Sequence, residues 1–302
     1  MTRICDLLSG PPRVSVELWP PRTEQAARRL EASLDRLVEL QPAFASITYG
    51  AAGSTRARTH ELVVELEHDR HTTAMAHLTC ASHSRVELVE ILRRYRNAGV
   101  ENILALRGDP PLDAPDAATR GELAHAIDLV DLARSVGPFC VAVAAHPLGH
   151  PEAPDLVTDR RHLAEKLRVA DFAITQFVYG AEDYLRLVDE LSDLGIDKPV
   201  VPGVMPVTSP RTLERMAALS GHHVPTWLAR RISAAGDDPS AVQRAGVEIA
   251  TQLCEELLAS GAPGLHFYTM NQFAATLEVA AALGLAPRAG DGRARQPAEP
   301  PH

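Results

Sequence analysis

Positive charge is what this chain is short of. Its 302 residues carry 30 Lys and Arg against 39 Asp and Glu, a net charge of −9. Nucleic acids and anionic membrane surfaces both select clustered cations, so neither is expected as a partner. A small anionic ligand held by a few local cations stays open. Cysteine is scarce as well. Cys5, Cys80, Cys140 and Cys254 form no CxxC pair and no zinc-type spacing with His, so no metal centre is expected. They read as reduced, mostly buried thiols of a cytoplasmic protein. No stretch approaches the roughly 18 apolar residues of a membrane span. The opening "MTRICDLLSGPPR" lacks the apolar run of a signal peptide. There is no internal repeat, and no GxGxxG follows the first apolar run.

What is present is ordinary in amount and regular in arrangement. The hydrophobic fraction of 45% and charged fraction of 23% suit a soluble globular protein. Eight short apolar or alternating runs recur: "VSVEL" (14–18), "FASITYG" (44–50), "TAMAHLT" (73–79), "NILALRG" (102–108), "FCVAVAA" (139–145), "FAITQFV" (172–178), "VVPGVMPV" (200–207) and "GLHFYTM" (264–270). Several are continuously apolar, as strands buried on both faces of a parallel sheet are. Amphipathic helical patterns separate them. Residues 23–41 place Ala27, Leu30, Leu34, Leu37 and Leu40 at three- and four-residue spacing, behind Thr23 as N-cap. Residues 84–99 begin at Ser84 with Glu87 three positions on, the capping-box pattern, and end at Gly99. Residues 181–195 end likewise at Gly195.

The interval between the seventh and eighth runs is longer. It holds "SPRTLERMAALSG" and "DPSAVQRAGVEIATQLCEELLASG", which predict extra helices there. The alternation predicts an α/β fold, a single-domain (β/α)8 TIM barrel over residues 1–285 with extra helices before the last strand. A doubly wound open sheet is the competing arrangement, weakened by the missing GxGxxG. Residues 286–302, rich in Pro, Ala, Gly and Arg, read as a disordered tail.

A barrel of this kind builds its site where its strands end. The strand ends in order are Glu17, Thr48 with Tyr49, His77, Arg107 with Asp109, His146, Gln176, Met205 with Pro206, and Tyr268 with Asn271. Most carry polar groups that a buried core does not tolerate without partners. They predict one polar pocket at the C-terminal rim.

The motifs at these ends, taken together, resemble the methylenetetrahydrofolate reductases. The matching segments are "VSVELWPPRT" (14–23), "SITYGAAGSTRART" (46–59), "AHLTC" (76–80), "NILALRGDPP" (102–111), "AITQFVY" (173–179), "PGVMPVTS" (202–209) and "GLHFYTMN" (264–271). Each alone is weak; seven in order, each at a strand end, are a strong signal. The chain length suggests the bacterial, single-domain form, and the resemblance is to its flavin-dependent type. The resemblance implies noncovalent FAD, NADH or NADPH as co-substrate, and reduction of 5,10-methylenetetrahydrofolate to 5-methyltetrahydrofolate. The expected partners are therefore folate, a nicotinamide nucleotide and further copies of the same chain.

Residue by residue, the resemblance makes Glu17 the general acid that opens the folate ring. Such an acid wants a raised pKa, which apolar neighbours such as Trp19 would supply. Asp109 matches a carboxylate near the flavin and the pterin, where it would tune the flavin and stabilise a cationic iminium; as a strand-end residue before Pro110 and Pro111 it also suits a helix N-cap. Gln176 and Tyr268 match folate-binding positions. Thr48, His77, Arg107, Gly108, Asp109, Ala126, His146, His150, Asp159 and Lys166 fall at flavin-contacting positions, with Lys166 suited to a phosphate. Tyr49, Ser54, Thr55 and Arg58 read as pocket wall or scaffold. His146 stands where some relatives have Tyr or Phe, and Pro210 where some have an aromatic. These departures keep a flavin-independent reductase in view, with direct hydride transfer from nicotinamide. A non-catalytic folate- or flavin-binding protein is the third reading, opposed by the joint presence of Glu17, Asp109 and Gln176.

Overall fold

The computed structural model describes residues 2–50, 56–108 and 121–286. Eight parallel strands close into a barrel in sequence order. They are β1 (Arg13–Leu18), β2 (Ala45–Ile47), β3 (Ala74–Thr79), β4 (Asn102–Leu106), β5 (Cys140–Ala145), β6 (Phe172–Phe177), β7 (Val200–Val204) and β8 (Gly264–Tyr268). The last strand returns to the first, with Glu17 opposite Tyr268. Around them lie α1 (Ile4–Leu7), α2 (Glu24–Leu40), α3 (Arg56–His68), α4 (Arg85–Asn97), α5 (Ala126–Val136), α6 (Leu156–Val169) and α7 (Ala181–Asp193). Then come α8 (Pro210–Ser220), α9 (Thr226–Ser233), α10 (Pro239–Ala259) and α11 (Ala274–Ala282). The fold is the expected (β/α)8 barrel, and α8 to α10 are the extra helices before the last strand.

The alternation of side chains along each strand divides the core in two. Val14, Val16, Leu18, Ala45, Ile47, Ala74 and Ala76 face outward and pack with Leu30, Leu34 and Leu37 of α2 and the other helices. Phe44, Met75, Leu104, Cys140, Ala142, Phe172, Ile174 and Val201 fill the barrel interior. Strands apolar on both faces therefore read as unbroken runs. The N-terminal mouth is closed by α1, a turn that periodicity does not reveal. Ile4 is fully buried in the interior core, and its N–H donates to Asn102 Oδ1 at 2.8 Å. The Asn102 amide donates in turn to the carbonyls of Thr2 and Ala74. One buried, satisfied amide thus ties the leading segment to two strands.

Helix starts follow their caps. Thr23 Oγ1 accepts from Ala26 N at 3.1 Å, and Ser84 and Glu87 form the reciprocal capping box. Two strands fall furthest short of the apolar runs that contain them. β2 covers 45–47 of 44–50, although Thr48 N still donates to Leu18 O. β7 covers 200–204 of 200–207, because Pro206 has no N–H for the ladder and the chain turns toward α8.

The β6–β7 register slips between Ile174 and Phe177. Opposite the slip stands Pro202, a strand residue without a donor. The Gly203 N–H goes instead to the Thr175 hydroxyl at 2.9 Å, and the Thr175 carbonyl accepts from Tyr268 Oη at 2.8 Å. Such irregularities re-aim side chains, here around Gln176 at the rim.

Above β6 and β7 a third apolar cluster joins Phe177, Met205 and Val207 to Met216, Leu228, Ile232, Val242 and Ile249 of α8 to α10. α10 approaches it through Gly246, where a Cβ would stand 1.7 Å from the Val207 carbonyl oxygen. Helix propensity favours Gly246→Ala by up to about 1 kcal/mol. Overpacking against backbone costs about 1–3 kcal/mol or more, and a carbonyl in a strand connection yields less than a side chain. We predict that Gly246→Ala is a net destabilisation of about 1–2 kcal/mol, read as a fall of a few degrees in Tm. An unchanged or raised Tm would show that α10 shifts freely.

Candidate active site

Glu17 is the penultimate residue of β1, at the C-terminal rim, where inward parity points its side chain into the barrel. It is 8% exposed. Trp19 Nε1 donates to Glu17 Oε1 at 2.8 Å, and His77 Nε2 on β3 lies 4.0 Å from Oε2. Burial pushes the carboxyl up to about 7, against the smaller opposing effect of the Trp19 hydrogen bond. Burial likewise pushes His77 down to about 3. The imidazole is therefore neutral, and the 4.0 Å approach is not an ion pair. No cationic side chain pairs with Glu17 among the described residues.

The layer below is polar and closed on itself. His266 is bracketed by two serines, with Ser15 Oγ 2.8 Å from Nδ1 and Ser46 Oγ 3.3 Å from Nε2. Its ring stacks on Phe44 at 5.6 Å and meets Tyr268 edge-on at 5.4 Å. Burial, then His77, holds it near 3. Tyr268 is held well above the usual phenol range by burial and by the Glu17 charge. Thr269 Oγ1 donates to the Glu17 carbonyl at 2.8 Å. Asn271 clamps Trp19, accepting from its N–H and donating to its carbonyl, both at 2.9 Å. Asn271 adopts φ 61°, a left-handed conformation that Asn tolerates.

A second group of polar side chains surrounds the end of β5. His146 is largely enclosed, and burial with neighbouring His150 and Lys166 pushes it down to about 3. Its ring meets His150 at 4.8 Å, and its Nδ1 is buried without a hydrogen-bond partner. Lys166, one of two lysines in the chain, is not on a solvated helix face. Its Nζ donates to the Ala144 carbonyl at 3.2 Å, and burial lowers its pKa against the opposing charge of Asp159. Asp159 accepts from Arg160 at 3.0 Å. Arg160, 3% exposed, also donates to the His146 and Pro147 carbonyls and to Glu190. It fixes the loop that carries His146.

The other expected residues fall at the same rim in differing states. Arg107 bridges to Glu152 at 2.5 Å. Gly108 has φ 81°, and a Cβ there would sit 2.8 Å from Thr79 Cβ. Ala126 opens α5 after the His125 cap, and Thr48 follows β2. The Gln176 amide is engaged internally, donating to Leu219 O at 3.3 Å and accepting from Phe177 N at 3.0 Å. His150 Nδ1 accepts from Glu152 N. Tyr49 Oη lies 3.0 Å from His83 Nε2, as scaffold, and Arg58 donates to the Pro21 carbonyl. Asp109, Ser54 and Thr55 lie outside the described residues. All four cysteines are free. Among the described residues no His, Cys, Asp or Glu group suits a metal ion, and no helix is long and apolar enough to cross a membrane.

Residues 2–284 match the family model described as methylenetetrahydrofolate reductase. The chain belongs to the methylenetetrahydrofolate reductase family. It is 37% identical over 283 residues to the 5,10-methylenetetrahydrofolate reductase of Pectobacterium carotovorum, covering 93% of each chain. It is 36% identical over 281 residues to the Escherichia coli protein of that name, again covering 93% of each. A solved Clostridium thermocellum structure shares the fold, with a TM-score of 0.60 at 16% identity, covering 93% of this chain and 98% of that one.

Three elements of this family member's site escaped the sequence reading. His266 sits two residues before Tyr268, so strand alternation alone places it on the same face. Arg160 gives no local signal. Burial raises the Glu17 pKa as enclosure should, and what the sequence does not announce is the Trp19 indole N–H, which opposes that rise to a smaller extent.

The Glu17 shift has a consequence for stability. The folded carboxyl binds its proton more tightly than the unfolded one, so the native state holds the extra proton between about pH 4.5 and 7. Stability from this group is full below the unfolded pKa and is lost as pH rises through the folded one. Glu17→Gln removes that loss. Its stability advantage over the wild type should grow by roughly 2–3 kcal/mol from pH 5 to pH 8 in urea denaturation. The buried histidines act in the opposite direction at low pH, but equally in both proteins. A pH-independent difference would mean that Glu17 is not desolvated.

Proposed function

We propose that this protein reduces 5,10-methylenetetrahydrofolate to 5-methyltetrahydrofolate, using NADH or NADPH and bound FAD, with Glu17 as the general acid. One observation carries the reading. In a member of this family, the strand-end carboxyl is buried, uncompensated by any described cation and pushed to about 7, so it keeps a transferable proton near neutral pH. The Clostridium thermocellum protein of the same fold is described as binding two copies of 5-methyl-5,6,7,8-tetrahydrofolic acid, which accords with a folate site in such a barrel.

The rim residues fit a flavin nucleotide. His77 Nε2 and His146 Nδ1 are buried polar atoms with no protein partner, a state that a polar ligand relieves. Lys166 supplies a buried amine suited to a phosphate oxygen. Thr48, Arg107, Gly108, Asp109, Ala126, His150 and Asp159 complete the proposed contacts. When bound, FAD supplies two-electron redox chemistry between the two substrates.

The protein's own work is positioning and proton delivery. Glu17 protonates the departing ring nitrogen of the folate, which lets the five-membered ring open to an iminium. Gln176 orients the pterin by exchanging its internal hydrogen bonds for substrate ones, with Tyr268 as the adjoining wall. Asp109 offsets the iminium charge. The neutral state of His77 keeps an unwanted positive charge away from the acid.

Two measurements test the reading. Acid precipitation of the purified protein should release all of a visible flavin spectrum; a colourless protein that still reduces methylenetetrahydrofolate would overturn the flavin assignment. Glu17→Gln should cut methylenetetrahydrofolate-dependent oxidation of NADH or NADPH by about 10²–10⁴-fold, while nicotinamide oxidation by an artificial electron acceptor persists. The wild-type folate rate should fall as pH rises through about 7, where the acid loses its proton. Loss of both activities together in Glu17→Gln would make the residue structural.

A further inference from the structure

The two oxygens of Glu17 face different surroundings. Oε1 accepts the Trp19 indole N–H at 2.8 Å. Oε2 lies 4.0 Å from His77 Nε2, a buried nitrogen that has no hydrogen-bond partner. An indole nitrogen only donates. The carbonyl oxygen of a neutral carboxyl is a better acceptor than its hydroxyl oxygen, so an indole donor fixed on Oε1 favours the proton on the other oxygen. We propose that Trp19 is a positioning residue for the acid, reserving Glu17 Oε1 as acceptor and assigning the transferable proton to Oε2, on the His77 side. The inference deepens the reading of Glu17 as general acid and rests on it for its catalytic consequence.

The Trp19 ring is held so that this assignment persists. Asn271 ties both backbone groups of Trp19 at 2.9 Å. The Arg215 guanidinium of α8 lies 5.0 Å from the ring centroid, within cation–π range. Thr269, the residue after β8, holds the Glu17 carbonyl. Acid, tryptophan and clamp form one unit built from the ends of β1 and β8, with α8 over the indole face.

The surroundings also make Trp19 a reporter. The titratable and charged described groups facing Glu17 are His77 from β3, Tyr268 and the deeper His266 from β8, and Arg215 across Trp19. His77 and His266 are pushed to about 3, and Tyr268 lies well above the usual phenol range. A guanidinium does not titrate near neutrality. Among these groups Glu17 alone changes charge around pH 7, and it does so in contact with the indole.

The chain has two tryptophans, and Trp227 is 47% exposed on α9. Trp227→Phe therefore leaves Trp19 as the sole indole. Its emission, followed from about pH 5 to about pH 9 on either side of a near-neutral carboxyl, should titrate with a midpoint near 7. Adding Glu17→Gln should abolish the titration. Flat emission, or a titration that survives Glu17→Gln, overturns the pairing.

In the full protein, Trp19→Phe keeps the ring and removes the donor that favours the carboxylate. The pH at which the folate-dependent rate falls should then move up by about one unit. A uniform loss of rate at every pH, with no shift, would mean that Trp19 only fills space and overturns the proposal. A wild type with no folate-dependent oxidation would refute the reading of function, while the emission titration would still decide the pairing.

Discussion

A carboxyl taken out of water with no cation beside it is the constraint around which the rest of the site is arranged. Glu17 could be stabilised as an ordinary anion by one nearby Arg or Lys, and the chain carries 30 such residues. None of those described pairs with it. His77 is close but neutral, because the same burial that raises the carboxyl lowers the imidazole. Desolvation acts on both partners, so the pair does not exchange a proton to become an ion pair. The indole N–H of Trp19 is the one direct donor described on the acid, enough to orient it without making it a strong acid.

The second polar group follows the same physics with a different outcome. His146 and Lys166 are enclosed near one another, and both are pushed toward their neutral forms. Arg160 is buried deeper still and stays satisfied, because its planar fork reaches two carbonyls and two carboxylates. The cations at this end thus divide by chemistry. The guanidinium braces the loop, the lysine amine donates to the Ala144 carbonyl, and His146 Nδ1 is buried without a partner. A chain that uses Arg almost everywhere else keeps Lys at 166, where a compact amine on a thin stem donates to a strand carbonyl.

Much of the architecture was legible because its causes are local. Alternation and unbroken apolar runs placed eight strands within a few residues of their observed bounds, and Thr23, Ser84 and Glu87 announced their helix starts. Errors fell where non-local hydrogen bonding decides. β7 ends before its apolar run does, since Pro206 cannot donate and Met205 and Val207 pack on α8 to α10 instead. The resting partners of the Gln176 amide, Leu219 O and Phe177 N, are likewise set by tertiary contacts and give no signal in the sequence around it. α1 left no periodic trace, because one turn is too short to show any.

The sequence by itself determined where the strands lie along the chain, which of their side chains share a face and which carboxyl stands near the end of the first strand. Each of these follows from residue type and from the two-residue repeat of a strand, and needs no partner from elsewhere in the chain. Only the tertiary structure decided the state of that carboxyl. Its enclosure comes from β3 and β8, and the clamp on Trp19 comes from Asn271, 252 positions away. A pKa is set by the water that is excluded and by the groups that replace it. Those groups meet Glu17 only when β8 closes the barrel against β1.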